Sequence, residues 1–174
     1  VLKRCLLNDE SEKALSIFPY MAEAYYNLGV AYQKTYNLGR MITAFRKVIE
    51  HGDPQEEYYQ SARSQLENTK RVIGESEGVD LDRYVASAER FDAAYAHMEN
   101  QEWETALNGF MAAARQNEKN APTHGNMGIC LAQLGRKADA LAALDRAIEI
   151  DAGYEPALGN RILVERMEEG VPLQ

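Results

Sequence analysis

The segment Ala121-Pro-Thr-His-Gly-Asn-Met-Gly128 recurs in altered form as Glu155-Pro-Ala-Leu-Gly-Asn-Arg-Ile162, 34 residues further along the chain. The same interval joins three other pairs of small or apolar residues: Ala106 and Ala140, Phe110 and Leu144, and Ala113 and Ala147. Agreement at one fixed interval indicates a chain built from repeated structural units.

The composition and the spacing of apolar residues both favour helices. The 174 residues include 24 alanines and only 5 prolines, and alanine loses the least entropy on entering a helix. Apolar residues recur at steps of three or four, as in Tyr25, Leu28 and Tyr32, and no run of β-branched residues alternates with polar ones. The sequence therefore predicts an all-α fold.

Earlier copies of the repeat lie upstream. Ala22–Tyr32 carries the same Asn-x-Gly element as Asn126–Gly128, which places repeat starts near residues 22, 87, 121 and 155. A truncated copy is expected ahead of residue 22. The interval from 22 to 87 is three residues short of two periods, so the pattern is interrupted between these two starts.

Residues 22–54 and 87–154 resemble the tetratricopeptide repeat family. The shared features are the period, a small residue at the eighth position, an aromatic at the eleventh, alanine at the twentieth, and an aromatic or leucine at the twenty-fourth. The resemblance implies two antiparallel helices, A and B, in each repeat. It also implies stacking of neighbouring repeats into an α-α superhelix whose concave face is lined mainly by A helices.

Departures from the repeat pattern divide the chain. We expect an N-terminal segment over 1–73 (a truncated repeat, one full repeat and an extra helix), an acidic glycine-containing linker over 74–80, and a C-terminal segment over 81–174 (two repeats and a capping helix). The helix-like stretch Glu56–Ile73 is expected to end at Gly74, whereas Leu81–Glu99 lacks glycine and proline and predicts one long helix. The capping helix is expected over 155–170, and an irregular junction over 55–86.

Charge and cysteine content exclude several classes of partner. The formal charge is -8 without a basic run, so nucleic acid is not an expected partner. No 18 apolar residues run together, which argues against a membrane span. Cys5 and Cys130 are far apart and belong to no Cys-x-x-Cys pair, so no disulfide framework or thiolate metal site is indicated. We interpret the protein as cytoplasmic and without a cofactor.

Catalytic motifs are missing from the sequence. Phosphate-binding loops, dinucleotide-binding turns and nucleophile elbows do not occur. His51, His97 and His124 lack the three- or four-residue spacing of zinc ligands, and structural roles are favoured for them. Cys130 falls at a small position within a helix, where a buried thiol is favoured over a nucleophile. The sequence therefore predicts that the chain is not an enzyme.

The resemblance implies a groove for a protein or peptide partner. In the family, certain helix A positions face the concavity, and here they hold Tyr26, Asn27, Val30, Lys34, Phe91, Asp92, Tyr95, Asn126, Ile129, Asn160 and Leu163. Asn27, Asp92, Asn126 and Asn160 share the sixth position. An amide carries both a donor and an acceptor, so such a column could bind the main chain of an extended peptide. Asparagine could instead be the family's usual residue there, fixing local helix geometry.

Three interpretations of the function stay open. The first is a non-enzymatic scaffold that binds a protein segment in the groove. The second is a recruiting or regulatory arm of a larger enzyme whose catalytic domain lies outside these residues. The third is self-association into a homo-oligomer through apolar residues of the irregular centre, over 55–86, or of the exposed edges. A terminal-carboxylate clamp is disfavoured because Phe91, Tyr95 and Pro156 occupy places where that clamp uses lysine or asparagine.

Overall fold

The structure is a computed structural model that describes Ser11, Lys13, Leu15 and residues 20–173. Within residues 20–173 there are eight helices and no strand, so the predicted all-α fold is confirmed. The helices are α1 Ala22–Lys34, α2 Leu38–His51, α3 Glu57–Ser76, α4 Leu81–Glu99, α5 Trp103–Gln116, α6 Ala121–Gln133, α7 Lys137–Ile150 and α8 Glu155–Arg166. The truncated upstream repeat and Cys5 fall outside the described residues, apart from the isolated positions just named.

Three helix pairs close with the same turn. The residue at the fifteenth repeat position has a positive φ in each: Tyr36 at 59°, Gln101 at 60° and Gly135 at 74°. In every turn the N–H of the next residue donates to the carbonyl oxygen of the residue five positions earlier: Asn37 to Tyr32 at 2.9 Å, Glu102 to His97 at 2.9 Å, and Arg136 to Leu131 at 2.9 Å. This is the left-handed termination that satisfies the last carbonyls of a helix. The pairs α1–α2, α4–α5 and α6–α7 are therefore equivalent helix pairs.

Glycines bring the paired helices close together. A Cβ built on Gly29 would lie 2.3 Å from the Phe45 ring, and one built on Gly128 would lie 2.6 Å from Leu144 Cγ. Phe45 and Leu144 are both fully buried. The small residues predicted at the eighth position thus leave room for the large residues at the twenty-fourth, and these fill the space between the helices.

The chain divides into two compact units, and the boundary falls between Val85 and Ala86, inside α4. The core of unit 1 is built around Met41, Ile42 and Phe45. Unit 2 has its own core. The larger buried side chains of that core are Leu107, Phe110, Leu131, Leu144 and Val164. The domain division predicted at residues 74–80 stays a prediction.

Helices α3 and α4 correspond to two helices that the sequence predicts. Leu81–Glu99 is one helix, as expected. Helix α3 passes through Gly74 and ends at Ser76, so its expected end was wrong. An exposed glycine inside a helix costs only about 1 kcal/mol relative to alanine. The termination falls instead at Gly78, whose φ is 73° and whose N–H donates to Ile73 O at 3.2 Å.

The capping helix is shorter than expected. Helix α8 ends at Arg166 rather than at residue 170, and Met167 adopts an extended conformation. The chain then turns at Gly170, whose φ is 81°, and the Gly170 N–H donates to Gly135 O at 2.8 Å. Leu173 N–H donates to Ala132 O at 3.1 Å. These bonds hold the segment on the turn between α6 and α7, away from the continuation of α8.

Candidate functional site

The predicted groove residues divide between the two units. Unit 1 holds Tyr26, Asn27, Val30 and Lys34, and unit 2 holds Phe91, Asp92, Tyr95, Asn126, Ile129, Asn160 and Leu163. Every one of them is half-buried or exposed, and none is fully buried. Each unit therefore presents its own set of A-helix side chains, and the grouping of all eleven into one groove stays a prediction.

In unit 1, two of these side chains contribute to the core. The Tyr26 ring lies 5.9 Å from the Phe45 ring and 6.2 Å from the Tyr58 ring, and Val30 packs against the same buried cluster. Asn27 and Lys34 point to solvent and are exposed. Loss of the Tyr26 ring would therefore remove core packing as well as any contact with a partner.

In unit 2, an aromatic pair stands on α4. The Phe91 and Tyr95 rings are stacked, with centroids 6.2 Å apart and planes 17° from parallel. Phe91 also meets the buried Phe110 ring of α5 edge-on at 5.3 Å, which anchors the pair to the core. Tyr95 remains 42% exposed. A supported but accessible ring of this kind can receive an apolar side chain from a partner.

Asn126 of α6 and Asn160 of α8 occupy the same repeat position on two helices that pack together. Both side chains are half-buried. Among the described residues, neither side-chain amide has a hydrogen-bond partner. Each amide thus keeps a donor and an acceptor available.

Several residues near the predicted site escaped sequence reasoning. The Tyr58 ring of α3 lies beside the Tyr26 ring at a tilt of 47°, and Gln65 Oε1 accepts a hydrogen bond from Gln33 Nε2 at 3.4 Å. Both belong to the helix that breaks the repeat pattern, so no equivalent position elsewhere in the chain could identify them. A helical step from Tyr58 to Ala62 to Leu66 was the available signal.

The sequence offers Cys130, His97 and His124 as candidates for a chemical role. Cys130 is fully buried, and burial raises the pKa of its thiol to about 11. Burial also lowers the pKa of His124, whose Nε2 lies 3.0 Å from the Glu118 carbonyl oxygen. His97 Nδ1 lies 2.6 Å from Glu102 Oε2 across the α4–α5 turn. No cluster of three metal-ligating residues occurs in the described part of the chain, where the helices are also too short or too polar to cross a bilayer.

The family model of the tetratricopeptide repeat matches residues 22–50 and 121–154, which correspond to the pairs α1–α2 and α6–α7. These two helix pairs are tetratricopeptide repeats. The pair α4–α5 shares the turn geometry of the two matched tetratricopeptide repeats. No curated protein matches the sequence.

Two solved structures of tetratricopeptide repeat proteins are similar to the chain. One is the TPR2AB domain of yeast Sti1 in complex with pHSP90, at 18% identity and a TM-score of 0.46, covering 93% of this chain and 62% of that one. The other is YrrB, a TPR protein with an unusual peptide-binding site, at 23% identity and a TM-score of 0.43, covering 90% of this chain and 82% of that one. The chain therefore spans less than two thirds of the Sti1 domain pair.

Proposed function

We propose that the chain is a non-enzymatic interaction scaffold that holds an extended segment of another protein. The binding surface is formed by α6, α8 and the part of α4 that lies in unit 2. Repeat proteins present stacked helices as extended surfaces of this kind. The observation that supports this proposal best is the pair of half-buried amides at Asn126 and Asn160, which lack hydrogen-bond partners within the described chain.

These amides suit a peptide main chain. An extended peptide presents N–H and C=O groups at regular intervals, and each asparagine can donate to one and accept from another whatever the side chains of the peptide. Such contacts give affinity without sequence preference. Selectivity would come from the aromatic pair on α4, where the exposed Tyr95 ring can pack on an apolar side chain of the partner.

Peptide selection tests the function. A displayed library of random peptides is selected on the wild-type chain, and the affinity of a recovered peptide is measured by fluorescence anisotropy. The double variant Asn126→Ala/Asn160→Ala should bind at least about tenfold more weakly, because each lost hydrogen bond is worth about 0.5–1.5 kcal/mol. Tyr95→Ala should weaken binding and change which peptides are recovered.

Asn108→Ala is the matched control, since Asn108 is an exposed asparagine on α5, a B helix. It should leave the affinity unchanged. Unaltered binding by the double asparagine variant, with its helical circular dichroism intact, would move the interface away from the A helices. Tyr26 is unsuitable for this comparison because its ring supports the unit 1 core.

A further inference from the structure

The outer face of α8 is apolar and uncovered. Ala157 and Val164 turn inward and are fully buried, whereas Leu158, Ile162 and Leu163 are 40%, 51% and 52% exposed. At about 100° per residue, the exposed residues surround the direction opposite to the buried ones. Tetratricopeptide repeats cover this side of an A helix with the following B helix. Among the described residues no such helix follows α8.

The chain that follows α8 leads elsewhere. Glu169 accepts from the Ala138 N–H at 3.2 Å, and Gly170 and Leu173 donate to the carbonyl groups of Gly135 and Ala132. These bonds place the segment on the turn between α6 and α7. The described residues after α8 therefore leave its outer face exposed.

Reversing the chain direction places complementary residues of the outer face at corresponding positions. About a midpoint between Asn160 and Arg161, Glu155 corresponds to Arg166, Leu158 to Leu163, and Gly159 to Ile162. All six residues are exposed. Each correspondence joins complementary partners: an acid with a base, a leucine with a leucine, and a glycine with a bulky side chain. A surface of this kind is self-complementary under a twofold axis.

We propose that α8 pairs in antiparallel orientation with α8 of a second copy of this chain. In that arrangement the residue pairs just named form successive layers across the interface, as in an antiparallel coiled coil. Ile162 of each copy enters the space above Gly159 of the other, where a built Cβ meets nothing within 4 Å. Leu158 of each copy packs on Leu163 of the other, and these two leucine pairs lie on either side of the central glycine–isoleucine contacts.

Charge sets the direction of the pairing. In the antiparallel arrangement Glu155 of each copy meets Arg166 of the other at both ends of the interface. A parallel arrangement would place glutamate against glutamate and arginine against arginine, which is unfavourable. Among the described residues neither Glu155 nor Arg166 has an ion-pair partner within its own chain, so both are available to the second copy.

The interface is small. Helix α8 has 12 residues, a length of about 18 Å at 1.5 Å per residue, which places the buried area at the low end of specific protein contacts. The association should therefore be reversible and depend on concentration. Sedimentation velocity of the full chain is expected to show the mass rising from 19.6 kDa towards twice that value as concentration increases.

Charge reversal separates this pairing from nonspecific association. Glu155→Arg and Arg166→Glu, each made alone, should weaken the dimer at least about tenfold, because each creates two like-charge contacts. The double variant restores opposite charges and should return the dissociation constant to within about threefold of wild type. Ile162→Glu should abolish the dimer. Met111→Glu, at a 38% exposed apolar site on α5, is the control and should leave dimerisation unchanged.

Three results would overturn the proposal: a monomer at every concentration, a double variant no better than the single ones, or a Met111→Glu effect as large as that of Ile162→Glu. Circular dichroism and Trp103 fluorescence confirm that each variant is folded. The charge variants replace no groove residue, but Leu163 belongs to both surfaces. The peptide titration of Asn126→Ala/Asn160→Ala is therefore made on dilute, monomeric chain, where it reports on the interaction surface independently. Loss of one property with retention of the other shows which proposal has failed.

Discussion

The close approach of α6 and α7 at Gly128 allows a quantitative prediction for Gly128→Ala. The added Cβ would lie 2.6 Å from Leu144 Cγ, 2.9 Å from Leu144 Cδ2 and 3.2 Å from the Ala140 carbonyl oxygen. Leu144 is fully buried, and the carbonyl oxygen belongs to the backbone of α7, so neither can move without displacing the helix. The two helices must separate to accommodate the methyl group.

Two opposing effects determine the size of the change. Alanine is about 0.8–1.0 kcal/mol more favourable than glycine inside a helix. Overpacking a well-filled core costs about 1–3 kcal/mol, and contact with both a buried branch point and a backbone atom places this site towards the upper end. We therefore expect Gly128→Ala to lower the free energy of unfolding by about 1–2 kcal/mol.

Gly159→Ala is the matched control. Gly159 is also inside an A helix of unit 2, but a Cβ there meets nothing within 4 Å. Only the helix-propensity gain applies, and stability should rise by about 0.5–1 kcal/mol. Urea unfolding followed by the fluorescence of Trp103, the chain's single tryptophan, reports on unit 2 because its ring packs against that core. Dilute protein removes any contribution from self-association.

A Gly128→Ala variant as stable as wild type, together with a gain of stability in Gly159→Ala, would contradict this expectation. That result would mean that separating α6 and α7 costs no more than the helix-propensity gain of about 0.8–1.0 kcal/mol. It would contradict the assignment of Gly128 to a tightly packed helix contact. A loss of stability in both variants would instead show that helix propensity does not dominate at Gly159.

Two other predictions concern buried titratable groups in unit 2. Burial lowers the pKa of His124 in the folded state below its ordinary 6.5, so the unfolded state binds more protons and stability should fall as pH drops below about 6.5. His124→Gln should flatten this part of the pH profile of urea unfolding. An unchanged slope would contradict the assignment of this pH dependence to His124. Burial raises the pKa of the Cys130 thiol to about 11, so alkylation by iodoacetamide near pH 8 should be about 100-fold slower in the folded chain than in urea. Peptide mass spectrometry distinguishes Cys130 from Cys5, and equal rates in the two states would show that the thiol is accessible.

The repeat interval predicted the parts of the fold that depend on side-chain size. Gly29 and Gly128 lie where small residues were expected, and Phe45 and Leu144 fill the expected space. These features follow from packing between two helices, which a sequence pattern records directly. The positive φ of the turn was hidden because Tyr36 and Gln101 occupy a position where only Gly135 gives a glycine signal.

The candidate site could be predicted only in part. Helical register was enough to place Asn126 and Asn160 at equivalent positions. Whether their amides already bond within the chain depends on neighbouring side chains that the register does not specify. The same limit applies to Tyr26, whose role in the core depends on Tyr58 of the non-repeating helix α3. The end of α8 was missed because it depends on a distant hydrogen bond between Gly170 and Gly135.

The middle pair of helices shows that the determinant of close packing is a pair of residues rather than a single position. At the eighth position α4 carries Ala94, whereas α1 and α6 carry glycine. The partner helix α5 leaves room for the Ala94 methyl group by having a glycine opposite it, because a Cβ built on Gly109 would lie 2.7 Å from the Ala94 Cβ. One methyl group fits between α4 and α5, but two do not. A pattern scored position by position accepts Ala94 as a small residue and gives no weight to Gly109, whereas together they maintain the helix contact that makes this pair equivalent to the other two.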